Sequence, residues 1–333
     1  MAPPAQEGNY FLMILSKKAR SLALAAVTAS SALMGAVSTA TATAQEVKVP
    51  AQVQNAAKQL NLGDPNSSDI TQWTKGLNLR DVCPANVTVY IPPSGSSTPI
   101  SNPAIPHFGG VHQQTTMTKY PKNVVVTLPY NALWTTGVFT YNESRNSGIR
   151  AAKIALGAIH SQCPNARIHM YGYSEGADVG AHVVESISRG QGPIPKHAFG
   201  SAAFQGNPVR STAGTHRAGG APNGRGLFAP ANYGDQAGKV MEVCTSGDVV
   251  CNTSNIAPNI YYLYEDYLSN SAPLRGKFSV HELVRRANPQ IVARSGMEIP
   301  ASVQGWARHT FGYETIDQGA RNAGENFIRA HYA

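Results

Sequence analysis

The sequence predicts an α/β fold, a central parallel sheet with helices covering both faces. Three observations predict it. Short apolar runs of strand length recur along the chain, helical stretches separate them, and one run ends in a glycine-flanked corner that opens directly into a helix. A sheet of that kind places reactive groups in the loops at the carboxyl ends of its strands.

The elements follow in order. Val87 to Ile91, Asn123 to Leu128, Arg167 to Tyr171, His197 to Phe204 and Lys239 to Val243 read as strands, the second apolar enough for burial on both faces. Helices are expected over Glu143 to His160, Ala177 to Arg189 and, last, Ile316 to Ala330. Residues 45–80 read as a polar extension with one short amphipathic helix, Pro50 to Leu60, and residues 81–333 as the main domain. Asn207 to Gly238 is rich in Gly, Pro and Asn without periodicity and reads as a long irregular connection.

The first 44 residues differ from the rest. Lys17, Lys18 and Arg20 precede the nearly uncharged run Ser21 to Val37, and Ala42-Thr43-Ala44 stands before Gln45. That is the pattern of an export signal with a small-residue cleavage site, and translation beginning at Met13 would leave it whole. As a membrane anchor the run is short, rich in Ala, Ser and Thr, and has no basic cluster after it. The reading is therefore a secreted or cell-envelope protein, with peripheral contact to the envelope at most, and a monomer.

Composition supports a chain that buries its own core, with 42% hydrophobic and 14% charged residues. The formal charge of +8 falls to +6 once Lys17, Lys18, Arg20 and Glu7 leave with the signal. The remaining cations are scattered rather than clustered, which argues against nucleic acid as a partner. Four cysteines in an exported chain point to disulfides. Of three possible pairings, the short turn between Cys244 and Cys251 favours that pair, with Cys83 joined to Cys163. Neither the cysteines nor His107 and His112 have the spacing of a zinc site, so no metal is expected.

The corner is Arg167-Ile-His-Met-Tyr-Gly-Tyr-Ser-Glu-Gly-Ala177, with Ser174 at the centre of G-x-S-x-G. Strand and helix approach so closely at such a turn that Gly172 and Gly176 stand where side chains would collide, and the serine hydroxyl is held outward. The N–H of Glu175, at the helix start, can face an oxyanion. A serine hydroxyl needs a histidine base and a carboxylate to orient it, which follow in chain order in the α/β-hydrolase architecture. Asp248, inside Cys244-Thr-Ser-Gly-Asp-Val-Val-Cys251, follows a strand and lies in a loop that a disulfide would stiffen. His309, in the loop-like stretch Trp306 to Tyr313, is favoured as base over His281, at a helix start, and over His331 near the end of the sequence.

Three blocks make the sequence resemble the cutinase family of serine esterases: Ser161 to Arg167 running into Gly172-Tyr-Ser-Glu-Gly-Ala177, the Cys244 to Cys251 loop, and a His followed closely by Tyr. The resemblance implies a cutinase-like α/β-hydrolase domain with Ser174 as nucleophile, Asp248 as orienting acid, His309 as base and both disulfides. It also implies a second oxyanion donor just after the first core strand, at Ser94, with Gly95 and Ser96 close by. The position after the nucleophile, often Gln in the family, is Glu175 here. The interval from Asp248 to His309 is long for the family, so an insertion at about 255–304 is implied; its Tyr261-Tyr-Leu-Tyr and Tyr267 suit either an acyl-binding wall or lid, or simple packing on the core.

The expected chemistry is hydrolysis of carboxylic esters in a lipid, glycolipid or polyester, without cofactor. Two other readings use the same residues differently: acyl transfer to a sugar hydroxyl, or a non-catalytic envelope protein that binds lipid or polysaccharide.

Overall fold

A computed structural model describes residues 70, 74–94, 122–130, 132, 139–221, 223–255, 304–310, 312–313 and 317–332. Among the described residues, six strands form one sheet: β1 Asn86–Ile91, β2 Asn123–Thr127, β3 Arg167–Tyr173, β4 Phe199–Gln205, β5 His216–Ala218 and β6 Val240–Val243. Their spatial order is β2-β1-β3-β4-β6-β5. Each neighbouring pair runs parallel. Parallel strands that follow one another in the chain need crossovers, and helices supply two of them: α1, Tyr141–Gln162, carries the chain from β2 past β1 to β3, and α2, Glu175–Ser188, links β3 to its neighbour β4. A third helix, α3, spans Gln318–Arg329.

Two faces of the sheet are covered by different helices, as side-chain alternation requires. Val87, Val89, Ile168, Met170 and Ala202 pack with Ala151, Ala155, Val179 and Val183 of α1 and α2. Their neighbours Tyr90, Tyr171 and Ala203 point the other way and meet Ile328 of α3. The main core also takes in Ile70 and Leu79, and Gln162 at the end of α1 donates to the Thr74 carbonyl at 3.0 Å. Cys83–Cys163 pins the same corner, with Cα atoms 5.3 Å apart.

Local chemistry sets the ends of these helices. α1 begins two residues before the expected Glu143, because Thr140 and Glu143 close a reciprocal capping box around its first turn. α3 starts after Asp317, whose carboxylate accepts from the Ala320 N–H at 3.0 Å.

Three expectations need correcting. β2 is not buried on both faces: among the described strands it lies at the sheet edge with β1 as its one neighbour, leaving Val124, Val125 and Thr127 half-buried. The stretch Asn207 to Gly238 is not wholly irregular. It contributes β5 and a 3-10 helix, Gly234–Lys239, that leads into β6. Residues 304–310 are helical rather than loop-like. The Pro50 to Leu60 helix, the export signal, His107, His112, His281, Gly95, Ser96 and almost all of the 255–304 insertion lie outside the described residues. Among the described residues, no helix is long and apolar enough to cross a membrane.

Candidate active site

The corner after β3 is packed too closely for side chains at its two glycines. A Cβ on Gly172 would stand 2.5 Å from the Gly176 carbonyl oxygen, and one on Gly176 would run into the carbonyls of Ile91 and Pro92 at the end of β1. Two glycines therefore let β1, β3 and the start of α2 converge. Between them Ser174 sits at φ 55°, ψ −122°, a left-handed conformation that a side-chain-bearing residue adopts only under constraint. The constraint is visible: the Ser174 N–H donates to the Gln205 carbonyl at 2.8 Å, tying the corner to the end of β4.

His309 reaches the serine from the helical stretch 304–310. A Cβ on Gly305 would collide with Val249, so the bare glycine lets this helix seat on the loop after β6. One turn later the imidazole lies with Nε2 2.8 Å from Ser174 Oγ and Nδ1 3.0 and 3.1 Å from the two Asp248 carboxylate oxygens. The ring is held from several sides. Tyr173 and Trp306 pack against it at centroid distances of 5.5 and 5.9 Å, and the Tyr173 hydroxyl donates to the His309 carbonyl at 2.5 Å.

Asp248 is fully buried, so its carboxylate needs donors. It has the Val250 N–H at 2.8 Å, the Tyr313 hydroxyl at 2.7 Å and the imidazole. The Cys244–Cys251 disulfide closes this loop, Cα atoms 5.9 Å apart. The sulfurs and the Asp248 carboxylate lie within 4.8 Å of one another, but bonded sulfurs are not thiolate ligands. Tyr313 is the site residue that sequence reasoning left without a role. Burial first, then the nearby Asp248 charge, holds its pKa well above the ordinary phenol value, so it stays a donor to the carboxylate. The signal was a tyrosine four residues after His309, on the same helical face.

Glu175 opens α2, and its backbone N–H has no earlier helical carbonyl to bond. Its side chain turns inward and is 1% exposed. Burial pushes its carboxyl up to about 8, against the weaker downward pull of the Ser144 and Ser94 hydroxyls that face it. Ser94, half-buried after β1, thus stands beside the residue that follows the serine. The expected residues Ser174, Asp248 and His309 come together, with Glu175 and Ser94 alongside. His331 does not join them; it caps α3, with Nδ1 2.8 Å from the Phe327 carbonyl.

Comparison with known proteins gives this geometry a family. The cutinase family profile matches residues 101–280, a stretch that takes in Ser174 and Asp248 and ends before His309. A carboxylesterase Culp6 homolog of Corynebacterium glutamicum is 26% identical over 154 residues, 43% of this chain and 50% of that protein. The chain thus spans about half the length of the curated relative it matches. Among solved structures, the catalytic core of an acetyl xylan esterase from Trichoderma reesei covers 58% of this chain and 98% of its own, at 21% identity and a TM-score of 0.42. Lysin B from mycobacteriophage D29 covers 74% of this chain and 99% of its own, at 18% identity and a TM-score of 0.47. With the family profile matching more than half of its residues, the chain belongs to the cutinase family.

Proposed function

We propose that this chain is an exported serine esterase acting on lipid, glycolipid or polyester substrates, with Ser174, His309 and Asp248 as its catalytic triad. The observation that carries the reading is the unbroken line from Asp248 through both nitrogens of His309 to the Ser174 hydroxyl. A carboxylate accepts hydrogen bonds, so Asp248 holds the proton on Nδ1 and leaves the Nε2 lone pair facing Ser174. As Ser174 Oγ bonds to the ester carbonyl carbon, its proton passes to Nε2. The carbonyl oxygen becomes an oxyanion facing the Glu175 N–H and the Ser94 hydroxyl. Nε2 then returns the proton to the departing alcohol, leaving an acyl-serine. Water repeats the sequence, giving the free acid and restoring the serine.

Two disulfides favour an oxidising compartment, in keeping with the export signal read in the first 44 residues. The substrate class rests on family membership and on the aromatic residues of the 255–304 segment.

Diethyl 4-nitrophenyl phosphate tests the reading directly. It should release one equivalent of nitrophenol, block turnover of short 4-nitrophenyl esters and leave its phosphoryl group on Ser174 in peptide mass spectra. Labelling elsewhere, with activity lost, would remove Ser174 from the mechanism.

Gly206 tests how closely the base must be held. It lies at φ 60°, and a Cβ there would stand 2.7 Å from His309 Cε1 and 3.0 Å from Nδ1. Gly206→Ala should lower kcat/KM by about 10²-fold, the scale for a displacement near 1 Å, with a modest fall in Tm. Unchanged kcat would mean that the base tolerates displacement.

A further inference from the structure

The side chain of Glu175 has no part in the triad, yet it is buried one residue from the nucleophile. Its surroundings are specific. Ser94 faces it from the loop after β1, Ser144 and Arg145 from α1, and Asp178 from one turn further along α2. Tyr130, whose hydroxyl donates to the Pro92 carbonyl at 2.7 Å, fixes the loop that carries Ser94 and lies in the field of Glu175. The neighbouring Asp178 already engages the polar groups of this pocket: Arg145 at 3.9 Å, the His182 imidazole at 3.1 Å and the Tyr141 hydroxyl at 2.6 Å. A second charge on Glu175 would stand beside Asp178 with Arg145 only weakly opposing it. Both Glu175 carboxyl oxygens are shut off from solvent, and the Ser144 and Ser94 hydroxyls are the hydrogen-bonding groups turned toward them.

The two protonation states of this acid differ in hydrogen-bonding sense. A carboxylic acid donates through one oxygen; a carboxylate only accepts. A neutral Glu175 can donate to Ser94 Oγ, which leaves the Ser94 proton for a substrate oxyanion. An ionised Glu175 accepts the Ser94 proton in a hydrogen bond and so withholds it from the oxyanion. An amide at this position would donate at every pH.

We propose that the Glu175 side chain is a positioning group that aims the Ser94 hydroxyl, so that the neutral acid completes the oxyanion site and the ionised acid dismantles it as pH rises. The proposal rests on the reading of Ser174 as nucleophile and Ser94 as oxyanion donor. Burial places the transition at about 8. The buried phenols of Tyr130 and Tyr141 titrate well above their ordinary range, so they do not mimic it.

The test is the pH profile of kcat/KM on 4-nitrophenyl butyrate, corrected for spontaneous hydrolysis. Wild-type enzyme should lose activity on the order of 10²-fold between about pH 7 and about pH 10, the scale for one lost oxyanion donor, and then level off. In Glu175→Gln the ratio of the two rates should collapse toward one. Ser94→Ala should be slow at both pH values and flat between them. An alkaline fall that persists in either variant, or that is missing from the wild type, overturns the proposal. Far-UV circular dichroism across the range separates loss of activity from unfolding, and Ser94→Ala, which leaves the buried acid in place, decides the matter if Glu175→Gln fails to fold. Phosphoryl labelling of Ser174 is scored separately: a labelled enzyme with a flat wild-type profile overturns the role of Glu175 alone, whereas an unlabelled Ser174 overturns the underlying reading.

Discussion

Replacing Ser174 by alanine is expected to lower kcat on a 4-nitrophenyl ester by roughly 10⁶-fold, the scale of nucleophile loss in serine hydrolases, with little change in Tm. The asymmetry follows from what the hydroxyl touches. Its bond is to His309 Nε2, at 2.8 Å, in a half-buried position. The corner itself is fixed through the backbone, by the bond from the Ser174 N–H to the Gln205 carbonyl and by the two glycines that let strand and helix close on one another. Alanine keeps all of this, including the strained φ of 55°. Ser174→Gly should lose activity equally but gain stability, because glycine adopts that conformation freely. Turnover in Ser174→Ala within tenfold of wild type would sink the nucleophile assignment, whatever the fold does.

How much of this was legible beforehand depended on how local the cause was. Central strands such as Val87 to Ile91 and Arg167 to Tyr171 announce themselves because β-branched and aromatic residues crowd into short runs, and the structure has both at the middle of the sheet. Ser174 and Asp248 were readable because their constraints are written beside them, glycines in one case and a short disulfide loop, Cys244 to Cys251, in the other. β5 was not, since His216-Arg-Ala carries no alternation and becomes a strand only by pairing with β6. The helix of residues 304–310 was missed for a related reason. It contains a glycine, and that glycine, a helix-weakening residue in isolation, is what allows the close seat against Val249. The edge position of β2 was hidden because an apolar run reports hydrophobicity, not the number of neighbours it will find. Glu175 is the sharpest case. An acid in the first turn of a helix ordinarily reads as a solvated partner of the helix dipole, and nothing in the local pattern says that β1 and α1 will close over it.

Asp248→Asn is expected to cost about 10⁴-fold in kcat, comparable to loss of the orienting carboxylate in other triads, and unlike Ser174→Ala it should also destabilise the fold. The carboxylate receives three different donors: the Val250 N–H on Oδ1, the Tyr313 hydroxyl on Oδ2, and His309 Nδ1 between them. Asparagine offers one oxygen and one NH₂, so at least one donor must face another donor in a fully buried loop. If the amide oxygen stays with Val250, the NH₂ faces the imidazole and favours the tautomer with its proton on Nε2, which cannot accept from Ser174. If it turns the other way, the Val250 N–H is orphaned. Either arrangement leaves a buried group unsatisfied, at roughly 1–3 kcal/mol. Tyr313→Phe separates the two effects. It removes one donor without disturbing the tautomer, so kcat should fall far less than in Asp248→Asn. Measuring both variants by kcat and by urea unfolding gives the contrast, and equal losses of kcat in the two would mean that Asp248 acts by holding its loop rather than by setting the protonation of His309.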